Sequence, residues 1–200
     1  MFGRCLMLAL AALAAPASAQ YEVPDPAPEP VAQLAEMVEL YDRICLRAFP
    51  DDHAVARLMR DVGTPLSPAE VQRYLRDDPG VGWRIAGRSA RFDVTIEAPP
   101  YHACAVRTMT AAGFPGLDPY RALADRFEAE QGGGFEPIPP LDGTVGTIRT
   151  SGRGESRQTG TGKSEALLIF VGMPAEALRT RRRTGVEIRF VHQFAEQPAH

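Results

Sequence analysis

Lysine is almost missing from these 200 residues: Lys163 stands alone beside 21 arginines. The chain also carries 18 Gly and 18 Pro. That combination is the codon bias of a GC-rich genome. Arginine abundance is therefore not a binding signature in itself, although the guanidinium suits bidentate anion contacts. A basic balance is lacking too. The net charge is -3, from 22 basic and 25 acidic residues, which argues against a nucleic-acid partner. Cysteine is scarce, and Cys5, Cys45 and Cys104 include no Cys-x-x-Cys spacing. His53, His102, His192 and His200 show no metal-ligand spacing. No Gly-x-Ser-x-Gly elbow is present, so a lipase-type hydrolase lacks its marker. No apolar run reaches the ~20 residues of a membrane span. What remains is ordinary: 44% hydrophobic and 24% charged residues, a globular composition that excludes wholesale disorder.

The start of the chain reads as an export signal. Arg4 supplies a positive charge, residues 5–15 are unbroken apolar, and Pro16 ends the run. Ala17, Ser18 and Ala19 then offer the small residues a signal peptidase reads. Cleavage is expected between Ala19 and Gln20, so residues 1–19 are a signal peptide. Cys5 precedes the apolar run and is no acylation site. The expected location is periplasmic or secreted, with no membrane span. Cys45 and Cys104 are then left together in an oxidising compartment, where such a pair usually forms a disulfide. Two buried thiols are the alternative.

Residues 20–30 read as a proline-rich linker, with prolines on alternate positions favouring an extended chain. Residues 31–198 read as a single α+β domain. From Val31 the apolar residues recur every three or four positions, predicting an amphipathic helix that carries Cys45 inward and stops at Pro50. Asp51 or Asp52 can cap a second helix. Ser67-Pro68-Ala69-Glu70 is a capping box for a third. From Gly82 the period becomes two, predicting three strands through Val106, joined by short turns. Leu117-Asp118-Pro119 opens another helix, with Asp118 as cap. Residues 144–150 read as strand, 151–163 as a loop or hairpin tip, and 166–171 as a central strand. Residues 174–184 read as a short helix before a last strand. The expectation is an antiparallel sheet of about six strands, with three to five helices mainly on one face.

Gly160-Thr161-Gly162-Lys163-Ser164 imitates the end of a P-loop. Arg157 stands where that motif needs glycine, and strand rather than helix follows, so it reads as a turn. Arg179, Arg181, Arg182 and Arg183 are the one basic cluster and the candidate anion contacts. Cations in the last turn of a helix, favoured by its dipole, are the plainer explanation. Asp51, Asp52 and His53 have the composition of an acid–base site, and capping accounts for the aspartates.

Cys45-Leu46, Phe49-Pro50-Asp51, Gly82-Trp83 and Cys104-Ala105-Val106 together resemble small exported periplasmic proteins of GC-rich bacteria, a group with no assigned activity. The resemblance covers residues 31–109 and implies no catalytic residue. The expected function is a non-catalytic binding or interaction domain of the cell envelope, without metal or cofactor. Its partner would be an envelope protein or an anionic surface polymer. The alternative is a periplasmic hydrolase, with Asp51, Asp52 and His53 as its nearest candidates.

Overall fold

The computed structural model describes residues 29–145, 148–174 and 185–196. Ala19 and Gln20 at the expected cleavage site lie outside the described residues. So do Arg179, Arg181, Arg182 and Arg183, and the expected helix around them.

Glu29 starts the first helix by accepting from the Val31 and Ala32 amides at 3.0 Å. Pro30 takes the first position, where a missing N–H leaves no helical bond unmade. Helix α1 (Pro30–Tyr41) buries Leu34, Met37, Leu40 and Tyr41. It then widens into a π-helical turn, Asp42–Ala48. Within that turn the Phe49 amide donates to the Ile44 carbonyl, five residues back. The Cys45 carbonyl thereby loses its usual helical donor, and the next residue, Pro50, has no N–H to replace it. The His192 ring fills that role, with Nδ1 at 2.7 Å from the Cys45 carbonyl.

Helix α2 (Asp52–Val62) is capped by Asp51, which accepts from the Ala54 amide at 3.0 Å. Helix α3 (Pro68–Leu75) has the full Ser67–Glu70 capping box. Helix α4 (Asp118–Glu130) buries Tyr120, Leu123, Ala124 and Phe127. Asp118 is already inside α4, and Leu117 occupies the cap without a side-chain bond. A one-residue shift of this kind is ordinary at helix ends.

The strands are β1 (Thr64–Pro65), β2 (Gly80–Ala86), β3 (Arg91–Glu97), β4 (Ala103–Thr110), β5 (Glu136–Pro137), β6 (Leu141–Val145), β7 (Ile148–Gly160), β8 (Lys163–Pro174) and β9 (Val186–Glu196). They form one antiparallel sheet in the order β1-β2-β3-β4-β9-β8-β7-β5, with β6 also on β7. The fold is α+β, with more strands than the six expected. The last strand, β9, is inserted between β4 and β8 and joins the two meanders.

The largest departure from the sequence reading is at 151–163. Its Gly, Ser and Thr content suggested a loop or hairpin tip; the hairpin is present, yet 151–160 are strand and only the turn around Gly162 reverses the chain. The glycines serve close approach here. A Cβ on Gly152 would come within 2.6 Å of the Phe170 ring.

The two sheet faces differ in chemistry. On one, Phe92, Val94, Ile96, Cys104, Val106, Leu167, Ile188 and Phe190 pack with residues of α1, the π turn, α2 and α4 in the main core. Full burial of each large apolar side chain there contributes about 1.5–3 kcal/mol. Cys45 and Cys104 are disulfide-bonded across this interface, with Cα atoms 5.4 Å apart. On the other face only α3 packs among the described helices, anchored at the β2–β3 end. No described helix is long and apolar enough to cross a membrane.

Candidate functional site

The second face of the sheet is the floor of a cleft of about 1050 Å³. Alternation along the strands dictates what points into it. With Cys104 and Val106 in the core, β4 must present Ala103, Ala105, Arg107 and Met109 on the opposite side. By the same rule β3 presents Thr95 and Glu97, and β9 presents Glu187, Arg189, Val191 and Gln193. All of these line the cleft.

Helix α3 forms one wall and is held by a charged bracket. The Tyr74 hydroxyl donates to Asp93 at 2.5 Å. Arg84 bridges Asp93 and Glu70, each at 2.9 Å. Bonds from the Ser67 amide and hydroxyl, with help from Arg84, hold the Glu70 carboxyl down to about 2. Burial, then Asp93, pushes the Tyr74 phenol up. Tyr74 is thus a fixed ring. Strand β6 contributes Leu141, Asp142 and Gly143 to the lining.

Two arginines dominate the floor. Arg107 is 3% exposed. Its guanidinium lies over the Tyr74 ring, 4.1 Å from the centroid, and donates to the Thr95 hydroxyl at 2.8 Å. Arg189 lies over Phe170 at 4.5 Å. The Nε atoms of both arginines are buried without a hydrogen-bond acceptor. Neither makes an ion pair with a described carboxylate, unlike Arg84 or Arg157. Burial pushes the Arg107 guanidinium down, against Glu187, Tyr74, Asp93 and Glu97. Burial and then Arg107 itself push Arg189 down to about 10, so it still carries its charge at neutral pH. A buried charge without a hydrogen-bonded counter-ion is costly. Arg107 is such a group, and the half-buried Arg189 sits beside it. Near them Glu97 is also raised by burial, with Asp78 adding to the effect.

A second polar group lies in the helix-covered core. Glu165 contacts His192 Nε2 at 2.7 Å and accepts from Arg157 at 2.8 Å. His192 and Glu165 are each 2% exposed. The rings of Phe49, Phe127 and Phe194 surround His192, with centroids 5.5, 5.3 and 4.9 Å away. Burial raises the Glu165 carboxyl, but the bonds from His192 and Arg157 outweigh it and leave it lowered. This His–Glu pair imitates part of a catalytic triad, yet a substrate has no route to it. Its role is to tie β8 and β9 to the π turn.

The residues singled out in sequence fall elsewhere. Asp51 is engaged as a helix cap. Asp52 meets His102 at 2.8 Å, a partner outside the Asp51-Asp52-His53 triplet, while His53 is exposed. Residues 160–164 are the β7–β8 turn. Arg107 and Arg189 were not singled out in sequence. The available signal was an arginine in a strand whose neighbours Ala103, Ala105 and Met109 are apolar on what alternation makes the outer side. Comparison with protein families, characterised proteins and solved structures finds no match for this chain.

Proposed function

We propose that this chain is an exported binding domain of the cell envelope that takes an organic anion into the cleft on the open face of its sheet. The observation that carries this reading is the cross-strand pair of buried Arg107 and half-buried Arg189, whose Nε atoms have no acceptor and which make no ion pair with a described carboxylate, although Glu97 and Glu187 lie near them. An anion in the cleft beside the two guanidinium groups would offset their repulsion. Tyr74 and Phe170 hold the guanidinium planes by cation–π stacking, so little ordering is left to binding.

The reading is of binding rather than turnover. The described lining holds carboxylates (Asp78, Glu97, Asp142 and Glu187) but no histidine, cysteine, serine or lysine, so it lacks a hydroxyl or thiol nucleophile paired with a histidine or lysine base. Export is supported by the signal pattern before Gln20 and by the Cys45–Cys104 bridge. A periplasmic hydrolase at Asp51, Asp52 and His53 fits less well, because capping already occupies Asp51.

Calorimetric titration with acetate, succinate, benzoate and phenyl phosphate tests the proposal. At least one should bind saturably at one site, more weakly in high salt. Binding should be lost in the Arg107→Met, Arg189→Met double variant. Equal binding by that variant, or no saturable binding by the wild type, would overturn it.

A further inference from the structure

Resting on that reading, we infer that the ligand is a zwitterion, an amino acid or short peptide with free ends, whose carboxylate meets Arg107 and Arg189 and whose ammonium meets Glu97 and Asp78. The cleft is lined by both signs of charge. Arg107 and Arg189 stand on adjacent strands of its floor, and Glu97 lies on the same face of β3. Glu97 is two positions along β3 from Thr95, the hydroxyl that receives Arg107. Strand register then brings in the second acid. The Asp78 amide donates to the Leu75 carbonyl at the end of α3, and β2 begins two residues later at Gly80, the cross-strand partner of Glu97. Both carboxylates line the cleft. Burial and then Asp78 raise the Glu97 carboxyl, and a cation between the two acids would offset that repulsion.

Opposite charges on one face of a sheet can neutralise each other, as Asp93 and Arg84 do beside this cleft. Glu97 and Asp78 make no ion pair among the described residues, and neither do Arg107 and Arg189. The arginines are held back from the acids. Arg107 is stacked on Tyr74 and bonded to Thr95, and Arg189 is stacked on Phe170. Arg107 is 3% exposed, and its Nε has no acceptor. The cleft thus keeps a positive and a negative site apart. A simple anion gains from the arginines and is repelled by the acids, whereas a zwitterion offsets both. Glu187 lies two positions before Arg189 on β9, as a single acid. Glu97 and Asp78 together offer two acceptors to an ammonium, which carries three donors. Arg73, Arg76 and Arg91 also line the cleft, but they are exposed and screened by water. A free amino acid and a short peptide share this chemistry.

The test titrates alanine, dialanine and trialanine into the protein, each beside its N-acetyl and its C-amide form. At least one free zwitterion should bind the wild type saturably at one site. Its N-acetyl form keeps the acid and loses the ammonium, and should bind about ten-fold more weakly. Its amide form, without the carboxylate, should be weakened as much. Binding of alanine assigns a free amino acid, and binding of the peptides alone assigns a peptide; either supports the inference. Glu97→Gln should weaken the zwitterion and leave the N-acetyl form bound at least as tightly as in the wild type, because a repulsion is removed. Asp78→Asn, at an exposed position, should act in the same way if Glu97→Gln does not fold. Equal wild-type affinity for the zwitterion and its N-acetyl form would overturn the inference while leaving the anion-binding reading intact. A preference for the free ammonium that survives both variants and disappears in Glu187→Gln would overturn its placement. No saturable binding by any compound with a carboxylate, an amide form bound as tightly as the acid, or full binding by the double arginine variant would remove the anion-binding reading as well.

Discussion

Arg107 and Arg189 are direct cross-strand partners on β4 and β9, and each turns its guanidinium onto a different aromatic ring. Like charges placed directly opposite in a sheet oppose folding. The arrangement therefore holds a repulsion between the two guanidinium groups. Arg189→Met keeps an unbranched stem over Phe170 and deletes one charge. The ligand-free variant should be more stable than the wild type, by about 1 kcal/mol, while binding anions at least ten-fold more weakly. Urea unfolding at low ionic strength reads the first effect. A destabilised variant would show that the pair is not strained.

The buried carboxylate behaves in the opposite way. Glu165 has two cationic or donor partners in a closed environment, so Glu165→Gln leaves Arg157 and His192 without their acceptor charge. The expected loss is about 3 kcal/mol. Glu196 makes an ion pair of similar length with Lys163, at 2.8 Å, but both groups are more than half exposed. Glu196→Gln should leave stability nearly unchanged. Because the folded Glu165 carboxyl is lowered, its contribution is present above the unfolded carboxylate range and is lost as pH falls through the folded value. The two variants should therefore differ most at neutral pH and converge in acid. Equal losses for the two variants at pH 7 would refute this assignment.

Local signals carried most of the elements. Ser67 and Glu70 announce a capping box because the motif is four residues long and needs no tertiary partner. Phe92, Val94 and Ile96 announce a strand because period two is visible in five residues. The stretch 151–160 was illegible for the converse reason. Its glycines are strand residues only because Phe170 and the β8 backbone come close, and that proximity exists only in the folded sheet. The arginine pair is illegible in the same sense. Arg107 and Arg189 are 82 positions apart, and their pairing depends on β9 inserting between β4 and β8. In a chain with 21 arginines, neither draws notice before that topology is known.

Glu128 on α4 supplies a pH-dependent term. Burial first, then the neighbouring Glu155 and Asp125, push its carboxyl up to about 8, with Arg157 opposing. A carboxyl raised on folding is better tolerated protonated. Its folded form binds more protons than the unfolded chain between the ordinary carboxylate value and about 8, so stability falls as pH rises through that window and levels off above it. Glu128 is only half-buried, and solvent screening discounts the effect to about 1 kcal/mol. Glu128→Gln should remove this slope. The urea midpoint of the wild type should drop between pH 5.5 and 8.5 by more than that of the variant. Parallel profiles would show that Glu128 does not titrate in this range.

The Cys45–Cys104 bond closes a loop spanning 59 positions and joins the π turn to the centre of the sheet. In the chain-entropy picture, cross-linking a loop of this length disfavours the unfolded state by about 4 kcal/mol. The Cys45→Ser, Cys104→Ser double variant should lose stability of that order. The loss should appear chiefly as faster unfolding if the π turn docks on β4 after the main folding barrier, since interactions absent from the transition state act on that rate. The bridge also fixes the segment whose Cys45 carbonyl receives His192, so amide exchange in β9 around His192 should quicken more than in β2, which lies two strands away from β4. Mapping of the oxidised chain after trypsin should recover residues 44–47 joined to residues 92–107, and reduction should separate them. Recovery of the two peptides as free thiols from the exported protein would show that the bond does not form, and a stability loss below about 1 kcal/mol would show that the unfolded chain is already confined in this loop.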